Sequence, residues 1–208
     1  MDRAELKTWA KEKIKGHIWE LLVPILVAGI LTGLTVGTKI QQTEHGFKVV
    51  DSGYNLGIFF AFVEVGLIIY LVKFIKDQPH EFKEIFAPVN DYIRIFITSL
   101  HEALMIFVFL FLLIVPGIMK AYSYALVTML LGDEKYKDLK SGELLALSEK
   151  MMAGHRMDLF VLQISFIGWY LLAPFTLGLL LIWLEPYSKV AQTKFLLDIK
   201  EKYEAENK

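Results

Sequence analysis

Apolar positions along the chain gather into four long runs separated by short polar stretches. The dominant run occupies 95–131, where Glu102 and Lys120 are the only charges, with His101 beside the first. It is far longer than the roughly 20 residues that one crossing of a bilayer needs. Pro116-Gly117 is its natural break, because proline removes a backbone donor and glycine permits positive φ. The pattern therefore predicts a helical hairpin turning at Pro116-Gly117. Two further runs predict spans over 18–38 and 56–75, and a third at 159–184 is interrupted by Pro174. Gly29 and Gly33 give the first span a G-x-x-x-G pattern, which suits close helix contact.

The polar stretches have patterns of their own. In 1–15, Leu6, Trp9, Ala10 and Ile14 fall at helical spacing and the basic residues lie mostly elsewhere. That pattern fits an interfacial helix in the membrane plane, or a solvated lead-in to the first span. The stretch 39–55 reads as a polar loop, with turn candidates at His45-Gly46 and Ser52-Gly53. Pro79 and Pro88 bracket a short segment at 80–87. In 133–157, Ser141 can cap a helix that carries Leu144, Leu147, Ser148 and Met151 on one side. After Leu184 the chain runs through Glu185-Pro186-Tyr187 into an amphipathic basic end.

Charge decides topology. Five basic residues precede the first span, four lie in 73–94, five in 132–158 and five after Leu184. Only two lie in 39–55 and one near Pro116. With Pro116 and Pro174 as hairpin tips, nineteen basic residues share one side and three the other. The positive-inside rule then places both termini in the cytoplasm. A cleavable signal peptide fits poorly, since the first run is about 20 residues rather than 7–15. The expected fold is an all-α, polytopic helical membrane protein of about six membrane helices in three hairpins. Two of the hairpins could instead be re-entrant pairs, and short amphipathic cytoplasmic helices join the hairpins.

Internal echoes support that plan. Gly16-His17-Ile18-Trp19-Glu20-Leu21 recurs as Gly154-His155-Arg156-Met157-Asp158-Leu159. Tyr122, Ser123, Thr128, Leu131 and Asp133 recur as Tyr187, Ser188, Thr193, Leu196 and Asp198. Phe82-Lys83-Glu84-Ile85 echoes Tyr136-Lys137-Asp138-Leu139. Within a single membrane domain, 1–208, these pairings suggest repeat units at 1–76, 77–132 and 133–198, followed by a charged tail at 199–208.

Several of these residues carry a family resemblance. Arg3-Ala4-x-Leu6-Lys7-x-x-Ala10-Lys11, Pro116-Gly117-Ile118-x-Lys120-Ala121-Tyr122-Ser123 and Gly154-His155-x-x-Asp158-Leu159-Phe160-x-Leu162 resemble the domain-of-unknown-function 975 family of bacterial integral membrane proteins. Ser165-Phe166-Ile167-Gly168-Trp169, Thr176-Leu177-Gly178 and Pro186-Tyr187 extend the resemblance over almost the whole chain, the 39–55 loop excepted. It implies a polytopic helical protein of the bacterial cytoplasmic membrane, and it brings no activity or catalytic residues with it.

Composition narrows the chemistry. The chain is 55% hydrophobic with a net charge of −1, which gives no basic surface for nucleic acid. The absence of cysteine excludes disulfides, thiolate catalysis and cysteine-bound metals. His101-Glu102 begins like the zinc-protease helix H-E-x-x-H, but Met105 stands where the second histidine belongs. His17, His45, His80, His101 and His155 make no ligand spacing, and no G-x-S-x-G or Walker A motif occurs. No enzyme activity and no cofactor are expected.

The candidates are therefore the polar groups inside apolar runs: Glu64, His101, Glu102 and Lys120. Charge at mid-bilayer is costly, so such groups face the protein interior or water. One reading makes Glu64, with His101 or Lys120, a proton- or ion-linked site; the other makes these groups polar pairs that fix helix register. Trp19, Trp169, Tyr170, Trp183 and Tyr187 fit an aromatic belt. The expected function is a non-enzymatic membrane protein that binds lipid, a hydrophobic peptide or a partner membrane protein, itself included, in a setting such as envelope stress or toxin immunity. The alternative is a small proton- or ion-linked transporter or channel using Glu64.

Overall fold

The computed structural model describes residues 3–33, 35–43, 46–55, 57–112 and 114–207, with side chains for all of these outside 35–58 and 111–114. His45 and Leu56 lie outside the described residues. The described chain is predominantly α-helical: α1 (Arg3–Lys13), α2 (Ile18–Thr32), α3 (Ala61–Ile75), α4 (Tyr92–Leu112), α5 (Ile114–Ser123), α6 (Val127–Leu131), α7 (Ser141–Met151), α8 (Arg156–Leu172) and α9 (Leu179–Glu206).

The all-α expectation needs one correction. In place of a polar loop, β1 (Thr35–Thr43) and β2 (Gly46–Asn55) pair antiparallel, in a register from Thr35–Asn55 to Thr43–Gly46 with an irregularity between Val36 and Thr38. The cause is visible in the residues: Thr35, Val36, Thr38, Ile40 and Thr43 are β-branched, and Phe47, Val49, Val50 and Tyr54 supply the partner strand. Helix α2 accordingly stops at Thr32, short of the expected end of the first span.

The six-span expectation is only partly met. Among the described residues one helix, 82–110, is long and apolar enough to cross a membrane, and α1 with α2 make a second only if a 104° bend between them is accepted. Of the remaining helices, α3 with 15 residues and α8 with 17 are too short individually, and α9 is long enough at 28 residues but carries charges from Glu185 onward.

Helix α9 organises the packing, touching α1, α2, α3, α7 and α8. Its buried positions include Leu184, Tyr187, Val190, Ala191 and Leu197. The apolar stripe of α1 turns onto this core, with Leu6, Ala10 and Ile14 buried, so it does not serve as an interfacial face. Tyr187 likewise sits in the core, its ring 5.1 Å from Phe166 and 4.8 Å from Trp183, whereas Trp19 and Trp169 are exposed. Of the five expected belt residues, Tyr187 is therefore core, while Tyr170 and Trp183 are half-buried against it.

Close approach fixes two helix contacts. A 3₁₀ segment, Phe82–Asp91, packs on α3, where a β-carbon placed on Gly66 would stand 2.1 Å from the Ile85 carbonyl oxygen. A β-carbon on Gly117 would stand 2.6 Å from the Leu110 Cα, so α5 has already folded back onto α4 before Pro116. The reversal thus precedes the expected Pro116-Gly117 turn, and proline occupies the first turn of α5, where its missing N–H costs nothing. The second break does fall at Pro174: a 3₁₀ turn, Pro174–Thr176, leads through Leu177 (φ 51) and Gly178 (φ 82) into α9. Gly29 has open space beside it, so the G-x-x-x-G pattern makes no close helix contact there.

The strongest of the sequence echoes has a shared local geometry. Gly16 (φ 89) and Gly154 (φ 86) both take the left-handed conformation, and His17 and His155 then precede α2 and α8. Each histidine Nδ1 faces the carboxylate three residues on, Glu20 at 2.9 Å and Asp158 at 3.7 Å.

Candidate functional site

Glu64 stands in the first turn of α3, where the helix dipole favours a carboxylate. Its partner comes from α9: the Lys189 ammonium donates to Glu64 Oε1 at 3.2 Å, across 125 positions of sequence. Both side chains keep about a third of their surface exposed, 34% and 36%. They line a cavity of about 450 Å³ together with Thr32, Ser99, Thr128 and Glu185. Glu185 lies one turn before Lys189 on the same helix. The cavity therefore offers two carboxylates, one ammonium and three hydroxyls, set among Ile25, Val65, Leu67 and Leu131.

The other candidates lie elsewhere, and no hydrogen bond or ion pair among the described residues joins any two of the four. His101 meets the Ser141 hydroxyl through Nδ1 at 3.1 Å, tying α4 to α7. Ser141 is the first residue of α7 rather than its cap, and the Glu143 carboxylate accepts the Lys140 N–H at 2.8 Å. Glu102 has neither a hydrogen bond nor an ion pair to its side chain among the described residues. Lys120 donates to both carboxylate oxygens of Glu149 at 2.8 Å, and Arg156 approaches the same carboxylate at 3.6 Å. The Lys120 ammonium also lies over the Phe109 and Tyr124 rings, at 5.0 and 5.6 Å.

The pairing of Glu64 with His101 or Lys120 is thus not what the fold makes. Lys189 and Glu149 take those places, and the polar pattern of the apolar runs could not have named them, since both lie outside those runs. Gln163 was findable as the one amide inside 159–184. It accepts from the Tyr122 hydroxyl at 2.8 Å and donates to Gln192 at 3.1 Å, linking α5, α8 and α9. Among the described residues no group of three or more histidine, aspartate or glutamate side chains is placed to hold a metal ion.

A second ionic cluster closes the far end of α9. Lys200 meets Asp133 at 2.6 Å and Glu204 at 3.0 Å, and the Tyr136 hydroxyl donates to Glu204 at 2.6 Å. Burial by itself would raise the Glu204 carboxyl, but hydrogen bonds from Tyr136 and Lys200 hold it at about 2. Burial would lower the Lys200 ammonium, yet Asp133 and Glu204 raise it above the usual lysine value. Burial and then the Glu204 carboxylate raise the Tyr136 phenol.

No curated protein and no solved structure matches this chain. A family model does match, over residues 102–203, a stretch holding Glu102, Lys120, Glu149, Gln163 and Lys189 but not Glu64 or His101. Over that half the chain belongs to the family described as Protein of unknown function (DUF975).

Proposed function

We propose that this chain is a non-enzymatic integral membrane protein that works by binding lipid. The observation that carries the reading is a set of outward apolar stripes at helical spacing. Trp19, Val23, Leu26 and Ile30 are exposed on α2; Ile93, Ile97, Leu100, Leu104 and Phe107 on α4; and Met157, Val161, Ile164 and Leu171 on α8. The tip before α9 adds Phe175 and Leu177, 84% and 94% exposed. Exposed apolar area on this scale, which water would penalise, suits hydrocarbon. In this reading the broken apolar segments pack as hairpins in the bacterial cytoplasmic membrane, with both termini cytoplasmic and 35–55 outside. Alkaline carbonate should leave the full chain in the membrane pellet. Release into the supernatant would end this reading.

A second reading, a small proton- or ion-linked transporter, is favoured by the cavity at Glu64 and Lys189. The two readings part at Glu64→Gln. As a packing pair it should cost little, because interhelical polar pairs in membranes average about 0.6 kcal/mol. The variant should therefore keep its expression and unfolding midpoint. Loss of pH-dependent flux in vesicles by a well-folded Glu64→Gln protein would establish the transporter instead.

A further inference from the structure

A groove of about 940 Å³ lies between the start of α4 and the segment leading into α7. Its apolar side begins with Ile93 and Ile97, and the exposed stripe continues through Leu100 and Leu104 to Phe107. The fourteen helical rises from Ile93 to Phe107 extend about 21 Å, at 1.5 Å per residue. That is more than half of the roughly 30 Å hydrocarbon core, so the stripe is long enough for an acyl chain in one leaflet.

The polar side of the groove is selective in which charges it leaves available. The Arg94 guanidinium is taken by backbone carbonyls, donating to Tyr136 at 2.6 Å and Leu131 at 3.5 Å. Lys137 is held by Glu134 at 3.4 Å and Asp91 at 3.9 Å. Lys140 and Asp138 line the same groove, are exposed, and have no ion-pair partner among the described residues. The groove thus presents one open cation and one open anion two residues apart. Lys140 also directly precedes α7, whose first N–H groups have no partner within the helix and favour an anion.

We infer that this groove seats one phospholipid with an ethanolamine head group: phosphate on Lys140 and the start of α7, ammonium on Asp138, and an acyl chain along Ile93, Ile97, Leu100, Leu104 and Phe107. The head group is chosen by charge and by hydrogen bonding. The two open side chains sum to zero charge, as does this head group. A glycerol head group brings no cation to Asp138. A choline head group brings a trimethylated cation with no N–H to donate to it.

This rests on the membrane reading above, and the test separates the two. Full-length protein, purified in detergent and stripped of lipid, is titrated with phosphatidylethanolamine, phosphatidylcholine and phosphatidylglycerol of identical acyl chains, with the unfolding midpoint as readout. The ethanolamine lipid should bind the unaltered protein about tenfold more tightly than the other two, the effect of one charge-assisted hydrogen bond. Asp138→Ala should erase the ethanolamine preference while leaving phosphatidylglycerol binding in place. Lys140→Ala should weaken all three, and Lys83→Ala, whose partner is Glu81, should change nothing. Equal binding of the three lipids by the unaltered protein would overturn the groove, as would a preference that survives Asp138→Ala. A chain that carbonate strips from membranes would overturn the membrane reading and the groove together. A chain that stays embedded without head-group preference would overturn the groove alone.

Discussion

Single residues in this fold are held by opposite charges from distant elements, and this sets their response to pH. At the end of α9 the depressed Glu204 carboxyl contributes stability above its usual value of 4.5 and loses that contribution as pH falls toward about 2. The raised Lys200 ammonium works the other way: its contribution is complete below the usual 10.5 and is lost only above that. The cluster therefore adds no slope between pH 5 and 9 and a decline below 4.5. Unfolding midpoints measured from pH 7 to pH 2.5 should fall in the acid limb, and Glu204→Gln should flatten that part of the curve. A Glu204→Gln protein with an unchanged acid limb would mean that other carboxylates carry it.

Elements meet here through absent side chains as much as through present ones. Gly66 lets α3 lie directly on the 3₁₀ segment Phe82–Asp91, and the obstacle to a β-carbon is the backbone oxygen of Ile85, which cannot rotate aside. Gly66→Ala should therefore force the two elements apart and cost about 1–3 kcal/mol, the usual range for overpacking. Thermal unfolding in detergent measures this, and Gly29→Ala, into open space, is the comparison expected to be near neutral. The reversal between α4 and α5 has the same origin, in Gly117 lying against Leu110. Element boundaries set by such contacts were only partly legible along the chain. Pro174 marked its break because proline and a left-handed glycine act locally. Pro116 misplaced its break by a few residues, because what fixes the fold-back is a contact with Leu110 seven positions earlier.

For the whole molecule, the membrane reading makes a prediction about sides. The chain contains no cysteine, so single introduced cysteines report without interference. Ser52→Cys, on β2, should label from outside intact cells, and Ser141→Cys, at the start of α7, should label only after permeabilisation. Labelling of both from outside would contradict the arrangement drawn from the basic residues. The candidate site was half legible at this scale. Glu64 stood out as a lone acid in an apolar run, whereas Lys189 sits in the amphipathic stretch after Glu185-Pro186. Nothing in that stretch announces that α9 continues unbroken through Pro186 to Glu206 and carries the lysine back to α3.

The sequence by itself determined the apolar runs, their helical character and the local devices between them, such as the left-handed glycines at Gly16, Gly154 and Gly178. These depend on neighbours within a few positions, so the one-dimensional pattern is sufficient. The hairpin of β1 and β2 was within its reach too, through its β-branched residues, but glycines and polar side chains gave the stretch the look of a loop. The tertiary structure alone decided which charge meets which, how short most helices are, and which apolar faces stay uncovered. Those outcomes depend on packing between residues as far apart as Glu64 and Lys189, where proximity is set by the fold as a whole and has no local sequence signal.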